Sequence, residues 1–503
     1  MLSRLSRIEF PELFFGFVAP IGADLGPTHK HFREFLERQN YKVIDVKVTD
    51  LYDRLQNAVP PRMPLVPSSV YERFCSYIEY GNQLRDHYAD DAVLAAATIE
   101  KIIRERNTLP KDKVPFEKTA FLIRQFKRKE EVELLRSVYG RLFFQISAYS
   151  RRGSRVESLA RRIADSEQVA HPEQFRDKAE QLVQRDANES DVEHGQRVSK
   201  IFHDADFIIN LDIRDPSIEK QIQRFCEIVF SSNSLSPSRI EYGMFSAKAA
   251  ALRTLDLSRQ VGAAIFSPNG EIVSLGSNEV PKAGGGTYWS DERFDARDYL
   301  MGRDSNEQRK IQLIAELLEK LNLHDQKEKI LASPDIQASQ IMDALEYGRI
   351  VHAEMCAISD AARLGRATKD GVLFSTTFPC HLCAKHIVAA GISHVWFLEP
   401  YPKSLAADLH PDSVNIENSD RGQYADFPAV EFEHFYGITP RRYRELFERG
   451  SRKDKGGNFV PYIGGKKIPF MDIKAPFYHE LEREILKKSE LVYAKAKPHP
   501  SAE

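Results

Sequence analysis

His352-Ala353-Glu354, followed by Pro379-Cys380-His381-Leu382-Cys383, decides how this chain is read. The residues around the two motifs alternate in type. Ala353 to Leu364 (AEMCAISDAARL) is rich in alanine and closed by Gly365, which predicts a helix. Val372 to Thr376 (VLFST) predicts a short strand. Pro379 opens a second helix, Cys380 to Ala390, closed by Gly391; His394 to Leu398 (HVWFL) is the next strand. This α–β–α–β run predicts an α/β/α layering. It places His352, Cys380 and Cys383 at the starts of helices, where the backbone favours the thiolate form of cysteine. Cys380 and Cys383 are three apart and share one helix face. One imidazole and two thiolates suit Zn²⁺ and leave its fourth position to water, which on zinc loses a proton near neutral pH. Glu354 is not needed as a ligand and stands where a carboxylate could shuttle that proton.

Two plainer readings of the motif explain less of it. A structural zinc site needs a fourth protein ligand, and Cys356, one turn after His352, could supply it. That arrangement leaves Glu354 without a role. A redox C-x-x-C explains the cysteines but not the paired H-x-E.

Working outward, a second domain is expected from about residue 236 to 450. It starts with a helix over Tyr242 to Ser258, then strands at Val261–Phe266 and Glu271–Ser277 joined by the hairpin turn Ser267-Pro268-Asn269-Gly270. Residues 284–350 form a charged insert with a helix near Gln308–Asn322. In residues 1–235, strands are predicted at 13–18, 41–48, 119–124, 142–149 and 207–211, with helices at 29–40 and 130–139, so a largely parallel sheet is expected. The loop-forming SSNSLSP at 231–237 marks the boundary. Residues 451–503 read as an extension.

The chain has 503 residues and a net charge of −2, so no global basic field draws it to nucleic acid or membrane. Its 5 cysteines, few and odd in number, fit a metal site in a reducing compartment better than a disulfide framework. No apolar run is long enough to cross a membrane. The expected location is the cytoplasm.

The second domain resembles the deoxycytidylate branch of the zinc cytidine deaminase superfamily. The stretches that carry the resemblance are Ser258-Arg259-Gln260-Val261-Gly262-Ala263, Ser277-Asn278-Glu279-Val280-Pro281, the zinc motif and Gly391-Ile392. The H-x-E…P-C-x-x-C spacing is the signature of that superfamily. By resemblance, Asn278 contacts the substrate sugar. The chain as a whole is similar to bacterial anti-phage deoxycytidine nucleotide deaminases with an N-terminal P-loop-kinase-like domain. The shared stretches are GFVAPIGADL from Gly16, IRQFKRKEEVELLRSVYG from Ile123, DADFIIN from Asp204, EYGMFSAKAAALRTLDLSRQVGA from Glu241 and GITPRRYRELF from Gly437. The resemblance implies depletion of dCTP during infection, a homo-oligomer, and in some members a regulatory small RNA as partner. One departure stands out. A working P-loop needs a lysine and a hydroxyl after its last glycine, whereas here Gly22 is followed by Ala23-Asp24. The first domain is therefore expected to lack phosphoryl transfer and to act as a scaffold or sensor. Arg151, Arg152 and Arg155 lie where kinases of that fold carry a mobile lid.

The expectation is a zinc-dependent deoxycytidine nucleotide deaminase: His352, Cys380 and Cys383 on the metal, Glu354 as acid and base, Asn278 at the substrate, and dCTP or dCMP left open. Two rival readings make different demands. A nucleic-acid-editing deaminase of the same fold needs a basic groove and aromatic platforms. A non-catalytic zinc protein would not need Glu354.

Overall fold

The computed structural model describes residues 6–108, 116–187, 195–337, 339–401 and 403–495. The chain divides into two compact units. The first is built from two stretches, Met1–Ser236 and Tyr436–Glu503; the second is the continuous stretch Pro237–Phe435.

In the first unit, apolar runs give five parallel strands: β1 (Leu13–Val18), β2 (Lys42–Lys47), β3 (Thr119–Arg124), β4 (Phe143–Tyr149) and β5 (Phe207–Asn210). Their order in the sheet is β5-β4-β1-β3-β2. A two-residue strand, Gly437–Ile438, extends the sheet antiparallel to β5. β1 is buried along its whole length, as a central parallel strand covered on both faces must be. The flanking helices include α1 (Gly26–Arg38), α2 (Val70–Tyr88), α3 (Val93–Asn107), α4 (Lys129–Tyr139), α5 (Arg152–Ser166), α6 (Arg176–Ala187) and α7 (Ile218–Val229). Phenylalanines fill the interior: Phe15 packs on Phe32 and Phe144, and Phe207 stacks on Phe225 at 4.4 Å.

The helix Tyr478–Lys495 docks on the same unit through a buried ion network. Arg106 donates to Glu12 at 2.7 Å and to Glu482 at 2.8 Å, and Tyr139 and Tyr478 donate to the same two carboxylates. Two buried carboxylates on one guanidinium are tolerable only because every oxygen is met.

The second unit carries a six-stranded mixed sheet: β6 (Gly262–Phe266), β7 (Ile272–Ser277), β8 (Val372–Thr377), β9 (His394–Glu399), β10 (Val414–Ile416) and β11 (Val430–His434), in the order β10-β11-β9-β8-β6-β7. The β6–β7 hairpin and the β6–β8 pair are antiparallel; β8, β9, β11 and β10 run parallel. Helices α8 (Arg239–Ala251), α9 (Ser305–Lys320), α10 (Ala353–Arg363) and α11 (His381–Ala389) complete it. Two glycines let helices lie close on strands. A Cβ on Gly262 would meet the Ala247 carbonyl of α8 at 2.0 Å, and one on Gly276 the Ala353 carbonyl of α10 at 2.1 Å. Any side chain at Gly276 would therefore push away the helix that begins at His352.

α8 stops at Ala251 rather than running to Ser258. The Thr254 hydroxyl donates to the carbonyl of Asn278, and the Asp256 amide donates to that hydroxyl at 3.1 Å, so the side chain turns the chain toward β7. Among the described residues, no helix is long and apolar enough to cross a membrane.

Candidate metal centre and cavity

β7 ends at Ser277, and Glu279 forms an isolated bridge with Val351 through amide–carbonyl bonds of 3.3 and 3.2 Å. This fixes the chain one residue before His352, which is the N-cap of α10. β8 then delivers Cys380 to the N-cap of α11, with Cys383 in its first turn. The ligand atoms of His352, Cys380 and Cys383 lie within 4.8 Å of one another. His352 Nδ1 is 3.3 Å from the Cys380 sulfur and 3.4 Å from that of Cys383. Both cysteines are buried.

A hydrogen bond from Cys383, and next the bonds and charge of His352, hold the Cys380 thiol down at about 4. The same bond pushes Cys383 up. Burial works against a charged His352, but Cys380 outweighs it and raises its pKa. One half-buried imidazole and two buried sulfurs converge as a donor set that fits zinc and leaves room for a further ligand.

Glu354 stands in the first turn of α10, two residues after His352, and is 4 % exposed. The Ser375 hydroxyl of β8 donates to its Oε1 at 3.0 Å, and its Oε2 lies 3.4 Å from the Cys383 sulfur. Burial, reinforced by the Cys380 charge, raises its pKa above the usual carboxylate value. A cavity of about 230 Å³ opens over this group, and His352, Glu354, Cys380, Asn278, Arg259 and Tyr401 are among the residues that line it.

Asn278 thus reaches the same cavity as the metal group. Its side chain is largely committed: Oδ1 accepts from the Val261 amide at 2.8 Å, and Nδ2 donates to the Arg259 carbonyl at 2.8 Å and to Asp256 at 2.5 Å. Both amide hydrogens are used and one Oδ1 lone pair is left. Sequence reasoning did not single out Ser375, Arg349 or Tyr401; their signal is the fold, which brings Arg349 and Tyr401 to the cavity wall and Ser375 onto the Glu354 carboxylate.

Residues 237–399 match the family model of the cytidine and deoxycytidylate deaminase zinc-binding region. Zinc is the cofactor of this region. The match lies wholly inside the second unit. ComE operon protein 2 of Bacillus subtilis is 40% identical over 53 residues, 10% of this chain and 28% of that protein. A probable deoxycytidylate deaminase of Drosophila melanogaster is 26% identical over 201 residues, 39% of this chain and 78% of that protein. The chain therefore spans little more than a quarter of the Bacillus relative and most of the fly one. Among solved structures, the dCMP deaminase of cyanophage S-TIM5 aligns with TM-score 0.22 and 16% identity in its apo form. It aligns with 0.23 and 18% in complex with dCMP and dUMP; both cover 40% of this chain and all of the phage enzyme.

Proposed function

We propose that the second unit deaminates a deoxycytidine nucleotide, dCTP or dCMP, to the deoxyuridine nucleotide and ammonia. The observation that carries this is the position of Glu354: a buried carboxylate, fixed by Ser375, facing a cavity beside a three-donor metal group. His352, Cys380 and Cys383 would hold the zinc. Zinc, when bound, supplies the Lewis acidity that lets water act as a nucleophile near pH 7. Glu354 accepts the proton that the attacking water gives up and returns it to ring N3. It then carries the second proton of that water to the departing amine. A raised pKa suits a group that must hold a proton between those two transfers. Water's oxygen ends on C4 and the amine leaves as ammonia, so the reaction balances without a further reactant. Asn278 keeps one lone pair for a sugar hydroxyl, and its other bonds fix it against Val261 and Arg259.

The same reading makes the protein an anti-phage factor that depletes dCTP, assembled as a homo-oligomer and open to control by a small RNA. The first unit has the parallel sheet expected of a P-loop-kinase-like domain, but Ala23-Asp24 takes the place of the lysine and hydroxyl that would clamp a transferring phosphate. The test is a panel of cytidine and deoxycytidine nucleosides and nucleotides incubated with purified protein, the products being separated. Conversion of dCTP or dCMP well ahead of cytidine is expected. Turnover of cytidine as efficient as that of the deoxynucleotides, or no uracil product at all, would overturn the proposal.

A further inference from the structure

Between β7 and α10, part of the charged insert folds on itself. α9 and the short helical pieces Lys327–Leu331, Pro334–Gln337 and Gln340–Asp343 pack chiefly on one another. They share a small apolar core, in which Ile314, Leu318 and Met342 are buried and Ile330 and Ile336 pack against them. The buried Lys310 donates to the Met342 carbonyl at 2.6 Å and ties the last piece to α9. A cluster apart from the main core marks a body that can move as one.

A glycine stands at each end of this body. Gly302 is in the left-handed region at φ 67°, with open space where a Cβ would stand; Gly348 is exposed, and a Cβ there would meet nothing nearer than 3.7 Å. The two chain segments are clasped on both sides of these glycines. On the side of the sheet, Arg349 pairs with Asp298 at 2.6 Å. On the side of α9, the Asn306 amide donates to the Ala344 carbonyl at 2.7 Å, and its oxygen accepts the Tyr347 amide at 3.1 Å. With both neighbours fixed, bending falls to the glycines, as at a hinge.

This body covers the cavity beside the metal group: Asp304, Asn306 and Leu345 form part of its wall. At about 230 Å³ the space is smaller than the roughly 300–1,000 Å³ of a pocket that encloses a small molecule. A nucleotide is enclosed there only if a wall yields. Little holds this wall in place. Of its apolar residues that are not exposed, only Leu345 packs against the core that contains Cys380 and Cys383. The polar contacts are at the surface. Lys403 pairs with Asp343, His381 Nε2 stands 3.5 Å from Glu346, and the Ser258 hydroxyl donates to Asp304 at 3.4 Å. Exposed contacts of this kind hold weakly.

We infer that α9 and the three pieces after it are a hinged lid. It turns about Gly302 and Gly348 to admit the nucleotide and reseats over it, with Leu345 as its latch and the Lys403–Asp343 pair as its catch. The identity of the ligand rests on the deamination reading; the hinge does not.

The test is a pair of spin labels on the full-length, zinc-loaded chain, their separation read by pulsed electron resonance. Leu317→Cys on α9 and Leu364→Cys beyond α10 are exposed labelling sites, in a Cys75→Ser background. The probe is dUMP, which the proposed reaction forms and does not consume. Two separations are expected in the free protein, and dUMP should remove the longer one. Leu345→Ala should raise the ratio of open to seated lid at least about tenfold, as loss of an apolar contact does. Lys403→Glu should raise it about two- to fivefold, the range of an exposed ion pair. Lys403→Glu combined with Asp343→Lys should return it to the parent value. Zinc content and far-UV circular dichroism identify variants that have not folded. One fixed separation in the parent and in both folded single variants would overturn the lid. If the variants shift the ratio and dUMP does not, the lid stands and the nucleotide reading of the cavity falls.

Discussion

Beside the second unit's cavity of about 230 Å³, a half-buried imidazole and two buried sulfurs lie within 4.8 Å of one another, with the buried Glu354 carboxylate next to them. In the first unit's cavity of about 700 Å³, the polar lining is spread over strand ends and α5, and several cations face the space without an ion-pair partner among the described residues. The smaller space gathers metal-ligating and acid–base groups, and the larger one is lined by cations beside aromatic rings. Convergence of donors, not volume, is what marks a reactive centre.

The sharpest way to break this contrast is Glu354→Ala. Deamination should fall at least about a thousandfold, the upper part of what a general acid–base contributes, while metal analysis still finds zinc. Loss of zinc would make Glu354 a ligand and the proton-transfer role wrong. Cys380→Ser should lose both zinc and turnover.

Metal removal should separate the two units. Chelation is expected to lower the unfolding temperature of the second unit, because α10 and α11 are joined through the metal ligands. The first unit's transition should stay where it was, since its stability rests on aromatic packing and the Arg106 network. Two transitions moving together on chelation would refute this.

Arg106→Ala is the converse experiment. It strands Glu12 and Glu482 in the interior, and breaking a buried pair in this way costs about 3–5 kcal/mol. Chemical denaturation of the variant should show the first unit weakened and the zinc content unchanged.

The smallest effect is the acid side of the first unit's stability. Burial, then the charge of Arg124, lowers the pKa of His29 from 6.5 to about 4. The unfolded chain takes up this proton first. Stability is therefore fully present above about pH 6.5 and declines as pH falls toward 4, by up to about 3 kcal/mol for such a shift. His29→Gln should flatten that part of the stability–pH curve. An unchanged slope would mean that His29 is protonated in the folded state.

The zinc motif and the elements around it were legible because they are local: each ligand announces its own helix start, and strands β1, β3 and β8 are short apolar runs. α2 was not legible, since VYERFCSYIEYGNQLRDHY mixes aromatic and charged residues around Gly81. β10 and β11 are too short to stand out, and their pairing with β9 exists only in the sheet. The helix Tyr478–Lys495 lay in a stretch read as an extension, because its partners Glu12 and Arg106 are far away in the chain. Asn278 was found by resemblance alone; the structure adds that its amide is already engaged by the backbone of its own unit.

The first unit's two-stretch construction has a consequence for synthesis. A ribosome releases all of the second unit before it makes Gly437–Ile438 and the helix that Arg106 clasps. Until then β5 is an open sheet edge, the kind of surface on which a nascent chain mispairs. The second unit is therefore fully synthesised while its host is still incomplete. Translational pausing or truncation within residues 237–435 would leave the host unfinished, however sound its own early sequence.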